Sequence, residues 1–136
     1  MRKTLLVVLA AGASFLSAAP AWAHHAFAAE FDLDQPFKFK GTVTKMEWIN
    51  PHAWIHVDVV GDDGKVTPWM IEAAAPNALL RRGWNKNSLP KGTEIIVEGY
   101  RAKDGANRGN GNIITFTDGR KLFVGSSAGD RGAPSK

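Results

Sequence analysis

A small, mostly β domain is what this sequence predicts, an OB-like barrel of five to six strands with one short helix between the third and fourth. Three observations predict it. Val, Ile, Trp and Phe cluster in short runs separated by Gly, Asp, Asn and Pro, the pattern of strands and turns. Along residues 53–59 aliphatic side chains at every second position alternate with Trp54, His56 and Asp58, as in a strand covered on one face. The single helical stretch falls after three strands and before the rest, which is the element order of a partly open, five-stranded Greek-key barrel.

The first strand, 37–48, has apolar residues at Phe37, Phe39 and Val43 and then at Met46 and Trp48. That change of parity predicts a bulge near Thr44 or Lys45. After a turn at Asn50-Pro51, Ala53, Ile55, Val57 and Val59 face the core, while His52, Trp54, His56 and Asp58 face away. Gly61-Asp62-Asp63-Gly64 is hairpin chemistry, since both residue types tolerate positive φ, and it leads into a third strand, 66–73. Pro76 suits a first helical turn and Gly83 a stop, so 76–82 reads as a helix of barely two turns. In the fourth strand, 93–101, Ile95 and Val97 face opposite to Ile96, Glu98 and Tyr100. Residues 102–112, rich in Gly, Asn, Lys and Arg, read as a mobile loop, and 113–124 as a hairpin about Asp118-Gly119. The tail, 125–136, has almost no apolar residue and is expected to be disordered.

The start of the chain has the form of a Sec leader over 1–23. Arg2 and Lys3 form a positive n-region, 5–16 an apolar core, and Ala21-Trp22-Ala23 a cleavage site. Gly12, Ser14, Ser17 and Pro20 interrupt the stretch, which is too short to span a bilayer needing about 20 apolar residues. No later segment is apolar enough to do so. Cleavage after Ala23 leaves a single domain, 24–124, plus the tail, in the periplasm. Without Arg2 and Lys3, 15 basic side chains face 13 acidic ones, so charge gives no case for nucleic acid. Arg101, Lys103 and Arg108 then read as solvated surface rather than phosphate contacts. The absence of cysteine excludes disulfides and thiolate sites, and confines any metal to nitrogen or oxygen donors.

Several separated blocks carry a family likeness: His24-His25-Ala26-Phe27, Glu30-Phe31-Asp32, Trp48-Ile49-Asn50-Pro51-His52, Trp69 to Glu72 before Pro76, Gly83-Trp84, and Asp118-Gly119-Arg120. Together they resemble the bacterial exported proteins of the domain of unknown function 6152 family over nearly the whole mature chain. The resemblance implies export and a compact β-rich fold, and implies no activity or ligand. Function must therefore be argued from chemistry.

All four histidines lie in two blocks, His24-His25 at the expected mature terminus and His52 with His56. A terminal His24 offers its α-amine and its ring to one ion, and a further imidazole completes a planar nitrogen set that suits Cu(II), the highest in the divalent affinity order. This arrangement resembles the copper brace of lytic polysaccharide monooxygenases, with His52 or His56 as the second histidine. The chain is short for such an enzyme and shares no other feature with it. On a regular strand His52 and His56 lie about 13 Å apart, too far to share an ion. Either the Asn50-Pro51 turn bends His52 off the strand, or only one of them joins a site. Glu30, Asp32 and Asp58 are candidate oxygen ligands or orienting partners. The alternative is that these imidazoles serve packing and ordinary hydrogen bonds.

Trp54, Asp58 and Trp48 form a candidate ligand face, while most of the tryptophans are expected in the core. No phosphate-binding loop, nucleophile elbow or His-Glu-x-x-His pattern occurs, so an enzyme is the less favoured reading. The sequence points first to an exported binding or accessory protein taking a small ligand or an envelope partner. A copper-binding protein and an adaptor that docks through the Trp54 face are the alternatives.

Overall fold

The computed structural model describes residues 26–126. The leader, the His24-His25 pair and residues 127–136 of the expected tail lie outside the described residues. Six strands follow one another: β1 (Phe31–Glu47), β2 (Trp54–Val60), β3 (Val66–Glu72), β4 (Glu94–Ala102), β5 (Arg108–Phe116) and β6 (Lys121–Phe123). A helix, α1 (Pro76–Arg81), sits between β3 and β4, and residues 26–30 form a helical turn before β1. Among the described residues no helix is long and apolar enough to cross a membrane.

The sheet order is β3-β2-β1-β4-β5-β6, and β3 also pairs with β5. This last pairing is parallel, matching Met70, Ile71 and Glu72 to Arg108, Gly109 and Asn110. Five strands thereby close into a barrel-like ring, with β6 added to β5 as a hairpin. The mostly β, OB-like expectation is met, helix position included.

β1 serves two neighbours. Its first part pairs with β4 as far as Thr42 and its last part with β2 from Thr42 onward. The register with β2 slips between Val43 and Lys45, so Thr44 is the bulged residue that the parity change predicts. Bulging sharpens the bend that lets one long strand turn the corner of a ring. Inside lie Val43, Ile55, Val57, Ile71, Ile95, Val97 and Ile114, each at most 1% exposed, from alternate positions of five strands. Leu79 of α1 and Trp84 just beyond it close one end. At Gly83 φ is +88°, the conformation in which glycine commonly ends a helix. A smaller cluster, Phe27, Phe31 and Ala102 with Leu33 and Tyr100, packs the helical turn against the outside of the ring.

One expectation fails. Residues 102–112 are not a loop: Ala102 ends β4, 5% exposed, and β5 begins at Arg108, leaving only 103–107 as the connection. Gly105, at φ +77°, does lie in that connection, but Gly109 and Gly111 are there because the chain is crowded. A Cβ on Gly109 would lie 2.3 Å from Phe37 Cε1, and one on Gly111 would lie 2.7 Å from Ile71 Cγ2. Asn110, 1% exposed between them, has its amide satisfied from β3. Strand glycine often marks such close backbone approach.

The same crowding makes a test. A Cβ on Gly99 would come 2.1 Å from the backbone oxygen of Asn110, which cannot move without breaking the β4–β5 ladder. Gly99→Ala is expected to lower unfolding free energy by about 1–3 kcal/mol in urea titration. Unchanged stability would contradict this packing.

Candidate functional site

The closing of β3 against β5 carries a carboxylate out of water. Parity along β3 turns Trp69 and Ile71 inward and Met70 and Glu72 outward, yet Glu72 is only 5% exposed. Its Oε1 accepts a hydrogen bond from Asn110 Nδ2 at 3.2 Å and lies 3.3 Å from His52 Nδ1. Next to it, Arg108 of β5 donates from Nη1 to Glu30 of the helical turn and from Nη2 to Asp104 at 3.3 Å. The Arg108 guanidinium also stacks over the Phe31 ring, 5.7 Å from its centroid. Three chain segments distant in sequence thus meet around Glu72.

Desolvation pushes the Glu72 carboxyl above its ordinary value, and the nearby Glu30 charge adds to this. The positive potential of His52, the Asn110 hydrogen bond and Arg108 act the other way. Burial is the largest of these effects, as expected when an acid leaves water.

His52 belongs to the turn before β2 and not to the strand, which starts at Trp54. The turn leaves its ring 40% exposed. His56, on β2, pairs through Nε2 with Glu47 Oε2 of β1 at 3.2 Å. Glu47 is held below the usual carboxylate value by hydrogen bonds from Lys45 first and from His56 second. The two imidazoles therefore address different carboxylates. Of the two alternatives read from sequence, the turn does take His52 off the strand, and it does so toward Glu72, away from the His56–Glu47 pair.

Each imidazole has one nitrogen next to a carboxylate: His56 Nε2 hydrogen-bonds to Glu47, while His52 Nδ1 makes an ion-pair contact with Glu72. With Glu72 ionised, its charge 3.3 Å from His52 Nδ1 favours the tautomer with the proton on Nδ1, which leaves the Nε2 lone pair free. His56 is the mirror case, with Nε2 bound and Nδ1 free. A carboxylate that fixes the tautomer and orients the ring is the usual second partner of a metal-binding histidine. Among the described residues no three His, Asp or Glu side chains are grouped to hold an ion by themselves, so an ion at His52 needs donors from outside them.

The other predicted site residues are dispersed. Trp54 lies outward on β2 between Glu47 and Glu72, its partners on β1 and β3. Asp58 faces the same way but opposite Thr42 and Pro68, at the far end of the strand. Trp48 packs partly into the core cluster. Asp32 accepts from the Asp34 amide at 3.0 Å, a local turn, and Glu30 goes to Arg108. Sequence reasoning missed Glu72, Asn110 and Glu47 as partners. The parity of β3 puts Glu72 on the histidine-bearing face, and that signal was present in the alternation of Trp69, Met70, Ile71 and Glu72.

A stability test follows from the Glu72 shift. The folded protein holds the Glu72 proton more tightly than the unfolded chain, so stability falls as pH rises from 4.5, the ordinary value, through the raised one. Glu72→Gln keeps an acceptor for Asn110 but removes the charge. In urea unfolding the difference between variant and wild type is expected to shift in the variant's favour as pH rises above that ordinary value. A difference independent of pH would show that Glu72 is not desolvated.

Among comparisons with known proteins, one family model matches, described as a family of unknown function (DUF6152), over residues 13–112. No curated protein and no solved structure matches the chain.

Proposed function

We propose that this chain, which belongs to the family of unknown function DUF6152, is an exported, non-catalytic binding protein of the bacterial envelope, and that the ligand it takes is Cu(II). The observation that carries this reading is the His52 Nδ1 to Glu72 Oε1 contact of 3.3 Å. It sets one ring nitrogen against a buried carboxylate, whose charge favours a proton there, and leaves the other, on a solvent-reachable ring, as the donor.

His52 supplies a single nitrogen, and a lone imidazole binds no ion tightly. The mature terminus expected from the leader supplies the rest, the α-amine and ring of His24. Three nitrogen donors and no thiolate favour Cu(II) over softer or harder ions. Glu72 would hold the His52 ring and balance part of the ion's charge, a role in which the carboxylate becomes more acidic on binding. Binding then releases protons from the amine, the rings and Glu72, and is lost as pH falls. Binding without catalysis accords with the absence of a nucleophile and base pair among the motifs of the sequence.

The test is Cu(II) titration of protein beginning at His24, its terminus verified by mass, beside the same chain acetylated at its α-amine and beside His52→Ala. One equivalent is expected to bind, with affinity reduced about tenfold or more in both altered proteins. Weak binding that is indifferent to both changes would exclude this reading.

A further inference from the structure

A second donor pair lies on the same outer wall, away from Glu72 and from the chain terminus. Cross-strand pairing sets Lys45, His56, Met70 and Arg108 in one row across β1, β2, β3 and β5. Residues paired in this way share a face, with Cβ atoms of direct partners about 5 Å apart. His56 and Met70 are the central two. Met70 is 37% exposed, at a position where a strand would ordinarily present a polar side chain to water. Met46, the other methionine of the expected mature chain, is partly buried against the core, so Met70 is the more exposed thioether.

His56 is prepared as a ligand in the same sense as His52: Glu47 occupies Nε2 at 3.2 Å, and Nδ1 keeps its lone pair. Trp54 stands two residues along β2 on the same face, placing an indole beside the pair. The flanking cations are neutralised. Lys45 is bound to Glu47, and Arg108 to Glu30 and Asp104, so three carboxylates surround two positive charges. A monovalent cation therefore enters a wall that carries no excess positive charge.

We propose that His56 Nδ1 and Met70 Sδ form a site for a soft monovalent d10 cation, Cu(I) in the cell, with the Trp54 ring as its neighbour. A neutral thioether is a poor donor to Zn(II), Ca(II) or Mg(II) and a good one to Cu(I), and such an ion accepts two or three ligands. An aromatic face adds attraction for a cation. The site uses no N-terminal donor, so it stands or falls independently of the Cu(II) reading above.

Ag(I), which has the same charge and softness and no accessible redox step, is the probe. The chain with His24→Ala and His25→Ala is titrated calorimetrically and by tryptophan fluorescence beside the unaltered chain, alongside Met70→Leu and His56→Gln made in that same background, with circular dichroism to verify folding. Met70→Leu conserves volume at a partly exposed position and is expected to fold. One equivalent of Ag(I) is expected to bind with quenching of tryptophan emission, and each substitution to weaken it about tenfold or more. Affinity unchanged within about twofold in Met70→Leu would overturn the proposal. So would Ag(I) binding that is lost with His24 and His25, because the donors would then be at the terminus.

Discussion

Five strands make a ring only if the first three are brought back against the last two, and here that return rests on three residue pairs, Met70–Glu72 against Arg108–Asn110. Without it β3 and β5 would each present an unpaired edge, a liability in any sheet. Parallel contact over so short a length leaves little room for error. It requires glycine at 109 and 111, where Phe37 and Ile71 already fill the space of a side chain. It also requires that the one polar residue between them, Asn110, find its partner across the seam.

That partner is Glu72, and the electrostatics of the wall follow from the choice. A carboxylate drawn into the seam loses water, a loss that is costly unless hydrogen bonds replace it. The Asn110 hydrogen bond replaces part of it, His52 adds a charge contact, and the Glu30–Arg108 pair keeps the surrounding charge near balance. Because the helical turn at 26–30 supplies Glu30 and packs Phe27 onto Phe31, ring centroids 5.4 Å apart, the segment entering from the amino terminus helps to cover the closure. Fold and candidate site are thus one construction: the contact that closes the ring also orients the imidazole.

Much of the fold was legible in the sequence because its signals are local. Alternation through Ala53, Ile55 and Val57 marked the buried face of β2, a parity slip marked the bulge at Thr44, and Asp-Gly and Gly pairs marked the hairpins. The error at 102–112 has the opposite cause. Gly109 and Gly111 are required by contacts with Phe37 and Ile71, which are distant in sequence, and no local rule separates a glycine kept for close approach from one kept for freedom. The site was half legible for the same reason. His52 and His56 stood out by residue type, whereas the Glu72–Asn110 bond links positions 38 apart and appears only once β3 and β5 are side by side.

The account turns on which nitrogen of each imidazole carries the proton, because that decides which lone pair is offered to an ion. Long-range 1H–15N correlation of the mature protein reads this directly, at a pH where both rings are neutral and Glu72 is ionised. The expected result is opposite tautomers, with the proton on Nδ1 of His52 and on Nε2 of His56. A proton on Nε2 of His52 would mean that Glu72 does not hold the ring, and would contradict the account at its centre.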